Sequence, residues 1–299
     1  MHSRAQQPVQ NRTSGSVAIS GGRLLPGTVR FKDGDRRGLI IRAWVNGAGP
    51  FDFAVDTGAG ATLLSPHVAQ AAHVQVKTGR SISISGLSGT GTVAGREAFV
   101  RTLAIGGAEN LLPAKGQVMV TERLPSGVDG ILDPTEAYWP LGYTIDMPQG
   151  EIRAFDPAAT PLTRTGASGE SAVVSWLFDH ESRRPYIVLS NGQRALIDTG
   201  SGFGLAVGAH AASAFGIEAE RGRERGGTFD LGGGRFSSRR VNPVNIQIGS
   251  LMLKRIPTQL LSDVEAGTPV LLGREALAPF ELSFDPLHRL IRIAPAREH

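Results

Sequence analysis

A mostly β protein made of two similar halves is what the sequence predicts, and three observations carry that prediction. Short Val, Ile, Leu and Phe runs are separated throughout by Gly, Asn, Asp or Ser, the punctuation of strands and tight turns. Glycine (39 of 299 residues) and proline (18) are plentiful, and both disfavour helix interiors. The third observation is an internal repeat of about half the chain.

In chain order, residues 1–22 are polar and predict a disordered start. The first copy of the repeat then reads NGAGPFDFAVDTGAGATLLSPHVAQAAHV from Asn46 to Val74. The second reads NGQRALIDTGSGFGLAVGAHAASAFGI from Asn191 to Ile217. Each predicts a turn, an apolar strand, Asp-Thr-Gly, a small-residue segment and a short helix. Leu103 to Val120 and Ile246 to Leu261 echo one another as paired strands about an Ile-Gly turn. GILDPTEAYWPLGYTIDMPQGEIRAF, from Gly130, then parallels VLLGREALAPFELSFDPLHRLIRI, from Val270: strand, short helix and hairpin in both. The expected organisation is an N-terminal lobe over 23–157, a linker over 158–171 and a C-terminal lobe over 172–299. The linker AATPLTRTGASGES has the small, polar composition of a connector.

Each Asp-Thr-Gly follows an apolar strand end: Phe53, Ala54 and Val55 before Asp56, and Leu196 and Ile197 before Asp198. A carboxylate set among apolar residues is costly unless it is paired or used. Gly58 and Gly200 let the backbone turn beneath the carboxyls, and Thr57 and Thr199 bring hydroxyls that can tie two such loops together. Two related loops would place two carboxyls close enough to share one proton. One would act as base toward a water while the other, protonated, bonds the carbonyl under attack. A single Asp-Thr-Gly reads most simply as a turn. Two at matching places in a repeat do not.

These motifs resemble the aspartic peptidases of the pepsin-like and retropepsin-like kinds, most closely bacterial aspartyl protease family proteins with two retropepsin-like lobes in one chain. The likeness runs from about Arg30 to Ile293. It implies closed β-barrel lobes with a few short helices, a groove for an extended polypeptide, and catalysis by Asp56 and Asp198 without cofactor or metal. Thr57, Gly58, Ala59, Thr199, Gly200 and Ser201 are the implied loop supports, and Leu271-Leu272-Gly273 is the implied hydrophobic-hydrophobic-Gly element of the second lobe. A flap is expected in SISISGLSGTGTV, with Gly86, Leu87, Ser88, Gly89, Thr90 and Gly91 as candidates. Phe229 and Leu231 are the candidates in GGTFDLGGGRF. The resemblance favours an exported bacterial protein, although the chain opens without a charged start followed by an apolar run. Because one chain carries both Asp-Thr-Gly copies, the expected active species is a monomer.

Two departures bear on chemistry. Asp133 stands where the pattern has Gly, so Ile131-Leu132-Asp133 brings a third carboxylate near Asp56 as a modulator. After Asp-Thr-Gly, Ser201 has a hydroxyl to donate to its aspartate and Ala59 has none, which predicts a pair titrating above the pepsin range. Asp133 is also the sequence support for the alternative reading, a catalytically impaired peptide-binding protein of the same fold.

Other classes fit less well. The absence of cysteine excludes thiolate nucleophiles and Cys-ligated metals. The histidines show no His-Glu-x-x-His and no close pair, so no metal site is expected. GAGATL and GSGFGL leave the dinucleotide fingerprint G-x-G-x-x-G incomplete, although Glu218 and Glu220 stand near the ribose-acid distance in the second copy. No G-x-S-x-G sits in a strand-to-helix setting. The net charge of +4 comes from scattered arginines, including Arg183 and Arg184, which read as solvated surface rather than a nucleic-acid patch. No apolar run reaches the roughly 20 residues of a membrane span.

Overall fold

A computed structural model describes residues 18–20, 23–34, 37–79, 81–85, 92–113, 116–164, 169–179, 182–218, 225–229 and 235–296. Among these the protein is mostly β, with short helices at Pro66–Ala71, Pro134–Ala137, Ala209–Phe215 and Arg274–Leu277. The polar stretch before residue 18 lies outside the described residues.

The repeat read in the sequence recurs as pairing. In the first half Ala48–Val55 runs parallel to Gly130–Leu132, which runs antiparallel to Leu63–Leu64; that strand runs parallel to Gly116–Val120, which is antiparallel to Thr92–Val100. In the second half Arg194–Asp198, Val270–Gly273, Leu205–Gly208, Leu251–Ser262 and Arg235–Ile248 pair in the same order and senses. Parallel pairing of strands so far apart in sequence needs long crossovers, and a duplicated chain supplies both crossovers alike. Among the described residues both sheets run as open paths of strands, without the ring closure that the sequence reading expected.

Strand patterns show why these segments pair. Leu39–Val45 alternates buried and more exposed positions, the period-2 signature of a sheet with one covered face. Ala48–Val55 begins exposed and ends with Phe53, Ala54 and Val55 all buried. Arg194–Asp198 likewise runs from an exposed Arg194 into buried Ala195, Leu196 and Ile197. Each strand thus runs inward to its aspartate, which leaves Asp56 buried and Asp198 half-buried.

A six-stranded sheet joins the halves. Its order is Ala172–Ser175, Leu290–Pro295, Phe280–Asp285, Gly142–Asp146, Glu151–Phe155, Val29–Arg30, so a hairpin from each half meets its counterpart at the centre. There Tyr143 stacks on Phe284 at 4.6 Å and Thr144 Oγ1 donates to Ser283 Oγ at 3.0 Å. Trp176 packs edge-on to Phe284 at 5.8 Å. The main hydrophobic cluster is continuous from Val29 to Ile293 and includes Ile145, Trp176 and Phe284. The halves therefore share one core.

Candidate active site

The two Asp-Thr-Gly loops meet and lock through their threonines. Thr57 N donates to Thr199 Oγ1 at 3.1 Å, and Thr199 N donates to Thr57 Oγ1 at 3.1 Å. Each hydroxyl in turn donates to the backbone across the interface: Thr57 Oγ1 to Ile197 O at 2.6 Å, Thr199 Oγ1 to Val55 O at 3.1 Å. Both threonines are fully buried, so each of these four bonds satisfies groups that water cannot reach. The symmetry of the sequence has become a symmetry of hydrogen bonds.

The carboxyls face one another across that lock. A Cβ on Gly200 would lie 2.3 Å from Asp56 Cγ, and one on Gly58 would lie 2.8 Å from Asp198 Cγ. Glycine at both places is therefore a requirement of close approach. The pair is not equivalent. Asp56 Oδ1 accepts from Gly58 N at 2.7 Å, whereas Asp198 Oδ1 accepts from Gly200 N at 2.9 Å and Ser201 N at 3.0 Å. Burial pushes the Asp56 carboxyl up, opposed by the Gly58 amide, by Asp198 and by the Arg184 guanidinium. Burial pushes Asp198 well above the ordinary carboxylate range, and the neighbouring Asp56 charge adds to it. Two carboxyls this close, both resisting charge, favour holding a proton between them.

The hydroxyl of Ser201 does not donate to the carboxylate, contrary to the sequence expectation. Ser201 Oγ accepts from Phe203 N at 3.3 Å, and the backbone N–H of Ser201 serves Asp198 instead. Serine often caps a backbone amide two residues on, as the Ser201 hydroxyl does here.

Asp133 occupies the register position of Gly273. Ile197 pairs with Leu272 and Asp198 with Gly273, while Val55 pairs with Leu132, which places Asp133 opposite Asp56. A Cβ at Gly273 would meet Phe203 O at 2.4 Å. In the first half Asp133 N instead donates to Thr62 Oγ1 at 3.2 Å, and the loop leaves room for a side chain. Asp133 Oδ1 caps Pro134–Ala137, accepting from Thr135 N at 2.8 Å and Thr135 Oγ1 at 2.6 Å. Its Oδ2 is buried without a partner. Burial pushes this carboxyl up to about 7, with the charges of Glu136 and Asp56 contributing.

Residues 41–132 match the family model of an aspartyl protease. This aspartyl protease match contains the first Asp-Thr-Gly and stops one residue before Asp133. It covers about a third of the chain, and the second Asp-Thr-Gly lies beyond it. No curated protein gives a match.

Of the flap candidates, Gly86, Leu87, Ser88, Gly89, Thr90, Gly91 and Leu231 lie outside the described residues. The arms flanking the first are paired, with Thr92 opposite Ser85. Phe229 ends a strand opposite Arg235. A cavity of about 640 Å³ opens beside Pro66, Ala94, Arg96 and Glu122, and none of its lining residues belongs to either Asp-Thr-Gly loop.

Arg183 and Arg184 were missed. Read as solvated, both instead reach across to the first half: Arg183 pairs with Glu136 and lies 4.1 Å over the Trp139 ring, and Arg184 Nη2 donates to Ala59 O at 3.0 Å. In the second half Arg274 Nη1 donates to Thr199 O and Gly200 O, both at 3.1 Å. Pro134 follows Asp133 where Arg274 follows Gly273, so the first loop gets its arginine from the other half. The chain pattern carries no signal of that crossing.

Proposed function

We propose that the protein is an aspartic endopeptidase with Asp56 and Asp198 as its catalytic pair, set between two lobes at 23–157 and 172–299. The observation that carries the reading is the reciprocal threonine lock, which holds a buried and a half-buried carboxyl over each other's glycine. The aspartyl protease match over 41–132 supports the same class.

In this mechanism the pair holds one proton. The ionised carboxyl takes a proton from a bound water as the water oxygen attacks the peptide carbonyl carbon. The protonated carboxyl gives its proton to the carbonyl oxygen. The resulting gem-diol collapses as the C–N bond breaks. One hydroxyl proton returns to the carboxylate, the other carboxyl protonates the leaving nitrogen, and the pair again holds one proton. Catalysis is chiefly positioning and a shared proton, so small displacements of either carboxyl are costly.

The test is substitution of each aspartate separately. Asp56→Asn and Asp198→Asn should each lower peptide hydrolysis by more than about a thousandfold, since acid–base roles of this kind contribute that order of rate. Near wild-type turnover in either would sink the paired mechanism. The alternative, a peptide-binding protein that no longer cleaves, draws its support from Asp133 opposite Asp56. Wild type that binds peptides but cleaves none, with Asp133→Gly restoring cleavage, would favour it.

A further inference from the structure

Arg184 is built more firmly than loop support requires. Its backbone is held on both sides: Arg184 N donates to Ser182 Oγ at 3.1 Å, and Arg184 O accepts from Trp176 Nε1 at 3.1 Å. Trp176 is itself buried against Phe178 and Phe284. The guanidinium packs against the first Asp-Thr-Gly loop, where a Cβ on Gly60 would come 2.6 Å from Arg184 Nε. Gly60 also sits at φ +76°, so a side chain there is disfavoured twice over. The loop leaves this arginine a seat, and its charge reaches Asp56 without an ion-pair contact.

A guanidinium offers five N–H donors in a planar fork. Among the described residues only Nη2 has an acceptor, Ala59 O, and Nε is buried without one. No carboxylate lies within ion-pair distance of it among those residues, whereas its neighbour Arg183 has Glu136. Nε is closed off by the loop at Gly60, so the donors left for a ligand are the remaining N–H groups of Nη1 and Nη2. What remains is a fixed, half-buried positive fork beside the residues that hold Asp56.

We propose that Arg184 is a specificity residue, which receives an acidic side chain of the bound polypeptide close to the cleaved bond. A glutamate or aspartate carboxylate matches the fork in a two-point, charge-assisted bond, which a neutral isostere cannot make as well. The substrate class is then an acidic polypeptide segment, and the assignment rests on the peptidase reading above. The guanidinium stays close to Asp56 without occupying it, so recognition and chemistry are adjacent but separate.

The experiment compares peptide pairs that differ only by Glu or Gln at each position flanking the cleaved bond. The readouts are kcat/KM in wild type, and equilibrium binding of the same labelled pairs to Asp198→Asn protein. Wild type should prefer the Glu member at one position by about tenfold or more, the scale of a charged hydrogen bond. Arg184→Gln should bring that ratio close to one, Arg184→Lys should retain part of it, and Arg184→Glu should turn the preference toward Lys peptides. A merely structural arginine would lower both members alike and leave the ratio in place. Cleavage without a Glu preference, or a preference that survives in Arg184→Gln, overturns the assignment and leaves the peptidase reading standing. An Arg184-dependent Glu preference in binding, with no cleavage by wild type, keeps Arg184 as the receptor of an acidic side chain but sinks the peptidase reading and the assignment beside a cleaved bond.

Discussion

At the residue scale the informative position is Asp133. Its carboxyl has an ordinary value of 3.8 and is pushed up to about 7 by burial. A group raised in this way stabilises the fold fully below its unfolded value, and the contribution is lost as pH rises through the folded value. The window runs from about pH 4 to pH 7, and the shift corresponds to about 4 kcal/mol as an upper bound. Asp133→Asn keeps an acceptor for Thr135 N and cannot ionise. Its melting temperature should therefore fall less than that of wild type between pH 4 and pH 8, in parallel thermal melts across that range. Equal slopes would mean that Asp133 is not protonated in the native state. Ala59→Ser should leave the pH–rate profile where it is, because at the matching place Asp198 is served by the Ser201 backbone N–H and not by its hydroxyl. The sequence made the place of Asp133 readable, since a missing glycine stands out against its repeat. It did not reveal that the side chain would cap a helix, because capping depends on the turn that Thr62 and Thr135 build around it. Arg184 was harder still: nothing local distinguishes an arginine that crosses to another half from one that points to water.

At the element scale the repeat was the legible part, because hydrophobic strands, glycine turns and Asp-Thr-Gly recur in order and each has a local chemical cause. The senses of pairing were not legible, since parallel contacts such as Leu196 with Leu271 join segments that share no turn. Ile82–Ser85 and Thr92–Val100 pair antiparallel, and the proposed flap residues lie between them in sequence. A lid must open and close during turnover, and glycine gives its backbone that freedom. Val at Gly89 and Gly91 together should cut kcat several-fold while moving the melting temperature by no more than a few degrees. Proportionate loss of both in kinetics and calorimetry would show the segment to be only structural.

At the scale of the whole molecule, the central sheet makes each half the other's support, and both aspartates come from one chain. Specific activity should therefore stay constant on dilution from micromolar to nanomolar, with sedimentation giving the mass of one chain. A collapse of activity accompanied by a dimer would count against a one-chain site. The same sheet also bears on how the protein is made. Gly142–Asp146 waits for Phe280–Asp285, which is synthesised much later in the same chain. At ordinary elongation rates that interval is on the order of ten seconds, during which a strand edge stands open. The nascent first half thus carries a template for strand addition, and on a crowded polysome its nearest suitor is the same edge on a neighbouring chain.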